Sequence, residues 1–255
     1  MMLDHLSFDV MYLPEWTSNF YFTENWLTDL SGWVYNVWWD STTRLCLRLT
    51  VICIFFCISG ICSSFSRNNG IRALKLAIAA TIVSLVTLIA DSLFDLGISI
   101  LFGVLHCFTV CTFIYAVLNY FVGEKSRYAF LGLGILFFVW GLLLDFYNLQ
   151  GDPKYDLTYH TVGFIDYLRI AVGTRYYGAD CFGILPYCGM FLIGAYGGTS
   201  LYKYKKAYLP LFEGKPFAPV RFIGKKAVWF YLLHQPVIFI IVLILAVTSG
   251  LQIGL

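Results

Sequence analysis

Apolar residues in this chain come in runs of about 20, separated by short polar stretches, which is the length a helix needs to cross the hydrocarbon of a bilayer. Six complete spans are predicted, at residues 45–65, 73–90, 98–122, 129–144, 182–202 and 227–247. The third is over-long and contains Phe102-Gly103-Val104-Leu105-His106. It is therefore expected to begin with a kinked or partly non-helical stretch, which a membrane admits only where protein buries it or a watery cavity receives it. Residues 1–13 are apolar but too short to cross. With no basic stretch ahead of them they read as the outer end of a span whose beginning is missing, rather than as a signal peptide. The pattern as a whole predicts an all-α polytopic transmembrane helix bundle, with residues 1–255 forming one integral-membrane domain and the first helix incomplete.

Composition agrees with the pattern. Hydrophobic residues make up 59% and charged residues 13%, the latter about half of what a soluble globular chain carries. A water-soluble enzyme is excluded. The eight cysteines fall mostly inside the apolar runs and show no zinc-type spacing, so buried free thiols are expected and no metal is. A disulfide between Cys181 and Cys188, at the start of one span, is the weaker alternative.

The formal charge of +2 argues against a nucleic-acid partner, and its distribution is more informative than its sum. Three connections hold 12 basic residues (Arg67, Arg72, Lys75, Lys125, Arg127, Lys203, Lys205, Lys206, Lys215, Arg221, Lys225 and Lys226) against Glu124 and Glu213. By the positive-inside rule they face the cytoplasm. The opposite side carries Arg44, Arg48, Lys154, Arg169 and Arg175 against 13 acids. The sum thus separates into roughly +10 inside and −8 outside. Of the two long outer segments, 14–43 and 148–181, the first holds five of the seven tryptophans (Trp16, Trp26, Trp33, Trp38 and Trp39). An aromatic belt at the headgroups accounts for them; a lid or carbohydrate-stacking platform is the alternative.

An ionisable side chain within a span is costly to desolvate and is read first as functional. His5 has Asp4 beside it and Asp9 one helical turn on, so His5 and Asp9 share a face. A carboxylate there would raise the basicity of the imidazole and fix its tautomer, as a general base requires; a polar helix end explains the same residues. His106 lies about two turns into its span, and His234 precedes Pro236, which removes a backbone donor and frees carbonyls nearby. Each is a candidate for catalysis or substrate binding, and each could equally be a buried histidine donating to a carbonyl. His160 reads as surface. Arg44 and Arg48, one turn apart, either pair with acids across helices or hold an anionic substrate group. Asp91 and Asp95 would attract a cation or an amine. At the inner turn, Ser63, Ser64, Ser66, Arg67, Asn68 and Asn69, followed by Arg72 and Lys75, supply the hydroxyl, amide and guanidinium groups that phosphate oxygens need, although a plain cytoplasmic turn has the same composition. For the Lys203–Lys226 loop a simple contact with anionic lipid is the alternative to a phosphate site.

There is no P-loop, no H-E-x-x-H and no G-x-S-x-G elbow. The His5-x-x-x-Asp9 spacing occurs in some soluble CoA-dependent acyltransferases, while the H-x-x-x-x-D spacing of glycerolipid acyltransferases is absent because position 10 is Val10.

Five segments, in order along nearly the whole chain, resemble the heparan-alpha-glucosaminide N-acetyltransferase-like family of polytopic membrane proteins. They are Asp4-His5-Leu6 with Asp9; Phe56-Cys57-Ile58-Ser59-Gly60-Ile61-Cys62-Ser63-Ser64-Phe65-Ser66-Arg67-Asn68-Asn69; Phe102-Gly103-Val104-Leu105-His106; Leu185-Pro186-Tyr187-Cys188-Gly189-Met190-Phe191-Leu192-Ile193-Gly194; and Phe222-Ile223-Gly224-Lys225-Lys226 running into Leu233-His234-Gln235-Pro236. The bacterial-type members are the nearer relatives. The resemblance implies transfer of an acetyl group from cytoplasmic acetyl-CoA to an amine or hydroxyl of a saccharide across a bacterial plasma membrane. It matches His5 to a polar position at the outer end of the family's first helix and Ser66-Arg67-Asn68 to its inner turn. Family members usually carry an Asp and an Arg-Gly pair before that first position, so a truncated start is expected.

On this reading His5 is the base, oriented by Asp4 or Asp9, with His234 or His106 near the acetyl group. Asp9, Arg44, Arg48, His106 and Asp180 would bind the acceptor, and Ser66, Arg67, Asn68 and Arg72 the acetyl-CoA. The lipid bilayer and a saccharide are the expected partners, and a homo-oligomer is compatible with them. Two other functions compete: a transporter or proton-coupled permease using the histidines as a relay, for which an inverted repeat between halves is missing, and a non-catalytic scaffold.

Overall fold

The computed structural model describes residues 2–94, 98–122, 127–146, 163–175, 177–178, 180–201 and 214–254. Eleven α-helices run through them: α1 Met2–Met11, α2 Leu13–Trp16, α3 Trp26–Trp33, α4 Thr42–Phe65, α5 Asn69–Phe94, α6 Val104–Val122, α7 Arg127–Phe146, α8 Phe164–Val172, α9 Tyr187–Leu201, α10 Ala218–Lys225 and α11 Ala227–Thr248. The all-α prediction holds. Among the described residues α4, α5, α6, α7 and α11 are long and apolar enough to cross a membrane. Each leaves large apolar side chains such as Leu47, Ile82, Phe113, Leu136 and Ile240 outward-facing, as lipid-facing helices do. The fifth predicted span, 182–202, corresponds to α9, which has 15 described residues. His160, Asp95, Lys125, Lys203, Lys205 and Lys206 lie outside the described residues.

The chain divides into two compact units, Met1–Ile52 with Ala207–Leu255, and Cys53–Lys206, the boundary falling within α4. In the first unit α1 lies against α11, and Val10, Leu13, Leu27 and Val34 pack with Ile238, Val242, Ala246 and Leu251. Asn25 caps α3 by accepting from the Leu27 and Thr28 amides while Thr28 returns the bond. The segment after α2 is stapled to the end of α11. Ser18 N–H donates to the Gln252 carbonyl at 2.9 Å and Gly254 N–H to the Trp16 carbonyl at 3.0 Å, and Asn25 Nδ2 donates to the Ser249 carbonyl at 2.8 Å.

The second unit is held by close backbone approach. A Cβ on Gly194 of α9 would fall 2.1 Å from the Cys57 carbonyl oxygen of α4, and one on Gly189 would fall 2.5 Å from the Phe138 nitrogen of α7. Small residues at helix crossings are how membrane helices gain van der Waals contact when lipid offers no hydrophobic drive. The over-long third run is helical only from Val104, as its composition predicts. Four amides of the approach to α6 are held by side chains: Ile98 N–H bonds Asp91 Oδ1 at 3.1 Å, and Ile100 N–H bonds Thr87 Oγ1 at 3.2 Å. Gly103 N–H reaches His106 Nδ1 at 3.3 Å, and Val104 N–H reaches Asp180 Oδ2 at 3.2 Å. Irregular backbone at membrane depth is tolerated on that condition.

Candidate active site

Two helices of the first unit bring together residues far apart in sequence. The His5 ring of α1 meets the His234 ring of α11 edge-on, with centroids 4.9 Å apart. His234 is 8% exposed, and its Nδ1 lies 2.5 Å from the Tyr231 carbonyl oxygen. A carbonyl can only accept, so Nδ1 carries the proton and Nε2 keeps its lone pair. That Nε2 is buried with no hydrogen-bond partner among the described residues. One turn along α1 from His5, Asp9 is 1% exposed. Its Oδ1 accepts from Gln235 Nε2 at 3.0 Å, while Asp9 Oδ2 and Gln235 Oε1 are buried without partners.

Asp4 is turned to α4. Arg44 Nε donates to Asp4 Oδ1 at 2.7 Å and Arg44 Nη1 to the Trp39 carbonyl at 2.8 Å, with the guanidinium carbon 3.5 Å from the centre of the Trp39 ring. Arg48 approaches Asp4 Oδ2 at 3.7 Å from a more exposed position. The pairing of these arginines with an acid across helices is therefore realised. The two carboxylates expected to orient His5 are instead held by Arg44 and by Gln235, and among the described residues no hydrogen bond joins either of them to His5.

The remaining predicted residues belong to the second unit. His106 uses both ring nitrogens within the fold: Nδ1 accepts from Gly103 N–H, and Nε2 lies 3.3 Å from Ser84 Oγ. Asp180 Oδ2 accepts the first amide of α6. At the inner turn Asn68 Oδ1 accepts from Ile71 N–H at 3.0 Å and so caps α5, Ser66 N–H donates to the Ser63 carbonyl at 3.2 Å, and Arg67 is exposed. Arg72 folds back, Nη1 to Ser63 Oγ at 2.9 Å and Nη2 to Ser59 Oγ at 3.2 Å, without a carboxylate partner among the described residues. All eight cysteines are free, so the Cys181–Cys188 disulfide offered as the weaker alternative is not formed. Burial pushes the Cys181 thiol up to about 11, which makes it a poor nucleophile at neutral pH.

Sequence reasoning did not single out Gln235 or Ser59, and it read Ser63 as a phosphate ligand of the inner turn rather than as a partner of Arg72. Gln235 had a signal, a polar residue beside His234 in an apolar helix. The serines had one too, a one-turn spacing on the face of α4 next to the turn that carries Arg72.

A family model described as heparan-alpha-glucosaminide N-acetyltransferase, catalytic, matches residues 19–236. The matched residues include Arg44, Arg48, the inner turn, His106, Asp180, His234 and Gln235, whereas Asp4, His5 and Asp9 of α1 precede them. No curated protein and no solved structure matches the chain significantly. The match extends over most of the chain, from α3 into α11, and with five apolar helices of membrane-crossing length it makes this an integral membrane protein that belongs to the heparan-alpha-glucosaminide N-acetyltransferase catalytic family.

Proposed function

We propose that the chain acts as one integral-membrane acyltransferase domain, taking an acetyl group from cytoplasmic acetyl-CoA and passing it to an amine or hydroxyl of an extracytoplasmic saccharide, in a bacterial plasma membrane. The observation that carries the reading is the facing pair His5 and His234, the latter with a buried, unpartnered Nε2, in a member of an acetyltransferase family.

In the transfer, a histidine nitrogen removes the proton from the attacking N–H or O–H as the new bond forms to the acetyl carbon. The carbon–sulfur bond breaks, and the proton passes to the departing CoA thiolate. His234 Nε2 is the better-prepared base, because the Tyr231 carbonyl holds its tautomer, and His5 beside it takes or returns the proton. Positioned base catalysis of this kind contributes about 10²- to 10⁴-fold. Asp9 and Gln235 present two acceptor oxygens to hydroxyl or amine protons of the saccharide, and Arg44 with Arg48 hold Asp4 in place at that end of α1. His106 and Asp180 act on the acceptor side only through the stretch before α6 that they secure. Ser66, Arg67, Asn68 and Arg72 are assigned to the CoA phosphates: Arg67 is exposed, and among the described residues the Arg72 guanidinium is bound by the Ser63 and Ser59 hydroxyls.

The test is incubation of the purified full chain with labelled acetyl-CoA and a panel of amino sugars, repeated with His5→Ala and His234→Ala. Label transfer that falls by 10²-fold or more in His234→Ala is expected. No binding of acetyl-CoA by the unmodified protein would overturn the function, and unchanged turnover in both variants would overturn the site.

A further inference from the structure

Of the tryptophans in segment 14–43, Trp26 and Trp33 are 56% and 50% exposed, as an aromatic belt requires. Trp38 departs from them. Its indole Nε1 is buried and bonds no described residue, whereas a belt tryptophan turns its N–H to the headgroups and a buried one normally finds an acceptor. The local fold puts it there. Leu27, Ser31 and Val34 form the buried side of α3 and of the π-helical turn Val34–Trp38 that continues it, and Trp38, one turn past Val34, extends that side. The indole packs against the cluster that includes Val10, next in sequence to Asp9, and Ile238, one turn past His234. The following residue, Trp39, meets Phe8, which precedes Asp9, with ring centroids 5.7 Å apart. Trp38 also stacks on the half-exposed Trp33, with centroids 6.3 Å and planes 16° apart, so one ring joins the buried indole to the surface.

The first unit thus holds a fourth stranded atom besides Asp9 Oδ2, Gln235 Oε1 and His234 Nε2. It differs from them in kind, since an indole N–H can only donate while a carboxylate oxygen, an amide oxygen and a free imidazole nitrogen accept. A sugar hydroxyl donates and accepts through one oxygen. A polyhydroxyl ligand can therefore serve the acceptors and the donor together, whereas an alkylammonium ion, with donors alone, would leave Trp38 stranded. We propose that the Trp38 N–H binds the acceptor saccharide, donating to one of its hydroxyl oxygens while hydroxyl or amine protons of the same sugar go to Asp9 and Gln235. A buried N–H without an acceptor lowers the stability of the empty protein, and a ligand oxygen offsets that cost on binding. The proposal rests on the acyl-transfer reading and adds to it a residue that determines acceptor specificity.

The experiment uses the full chain in nanodiscs with Trp38→Phe and, separately, with 3-benzothienylalanine at position 38, which keeps the shape of the indole and has sulfur in place of the N–H. In both, KM for the best acceptor of the amino-sugar panel is expected to rise about three- to tenfold, the loss of one hydrogen bond, with kcat and acetyl-CoA affinity unchanged. The unfolding temperature of the benzothienylalanine form without saccharide should hold or rise, because a stranded donor has gone. A KM raised by Trp38→Phe alone would make ring volume the cause and overturn the role of the N–H. A fall in kcat at constant KM would place the N–H at the acetyl group and overturn saccharide binding, as would unchanged kinetics in both forms. If the unsubstituted chain acetylates no sugar of the panel the proposal falls, and acetyl-CoA binding by the same preparation shows whether the acyl-transfer reading falls with it.

Discussion

His234 and His106 are both histidines within membrane-crossing helices, and the structure treats them in opposite ways. Around His106 the ring is fully engaged: its two nitrogens meet the Gly103 amide and the Ser84 hydroxyl, and Asp180, Asp91 and Thr87 each accept a backbone amide of the stretch that leads into α6. Around His234 the same residue types leave atoms over. His234 Nε2, Asp9 Oδ2 and Gln235 Oε1 are all buried and unpartnered. An orphaned polar atom in a buried site costs about 1–3 kcal/mol, so three together on the α1 and α11 pair mark a place kept open to a ligand, while the His106 region is a completed scaffold. Intramembrane histidine by itself does not separate the two cases; the count of satisfied nitrogens does.

The largest effect expected from this contrast is on catalysis. His234→Ala should lower acetyl transfer by about 10²- to 10⁴-fold and touch stability only through the local Nδ1–H bond to the Tyr231 carbonyl and the ring contact with His5, since Nε2 bonds no described residue. His106→Ala should do the reverse. It strips the Gly103 amide of its acceptor inside the membrane, costs about 1–3 kcal/mol of stability, and leaves turnover per folded molecule near the parental value. Parallel measurement of transfer rate and thermal unfolding in detergent decides it, and similar profiles for the two variants would erase the distinction.

How far this was legible in the sequence depends on which physical signal was at work. The spans were legible because burial in lipid demands long apolar runs, and the late start of α6 because Phe102-Gly103 precedes a His at a helix opening. The partners were not. The spacing of His5 and Asp9 placed both on one face of α1, but a face is wide enough for the His5 ring to meet His234 while the Asp9 carboxyl turns to Gln235. Asp4, next in sequence to His5, was captured by Arg44, whose stacking on Trp39 is a tertiary event with no periodicity to announce it. Arg72 reaches Ser63 and Ser59 across the turn for the same reason. Local spacing predicts who shares a helix surface, and only packing decides which neighbour wins the hydrogen bond.

A second prediction sharpens the contrast at Asp9. Gln235→Leu removes the one donor, among the described residues, to a carboxyl that is 1% exposed and should cost about 1–3 kcal/mol. The paired change Asp9→Leu/Gln235→Leu replaces both polar groups by apolar ones and should cost less than the single substitution, since the desolvation penalty disappears with the carboxyl. Chemical or thermal unfolding of the parent, both single variants and the double variant closes the cycle. Additive losses would mean that Asp9 and Gln235 act separately.

The smallest effect is reserved for Arg44, which stands at the same end of α1 as His5 yet is as fully engaged as His106. Arg44→Lys keeps the charge beside Asp4 but loses the planar fork that bonds Asp4 and the Trp39 carbonyl together, and with it the stacking on the Trp39 ring. A cation over an aromatic face contributes about 0.5–2 kcal/mol, so a loss of about 1 kcal/mol in stability is expected. If Arg44 only buttresses α1, the KM for the saccharide stays unchanged and the loss appears in unfolding alone. If Arg44 instead contacts the acceptor, KM rises while stability holds, which would move the boundary between scaffold and open site from the α1 and α11 pair out to the first turn of α4.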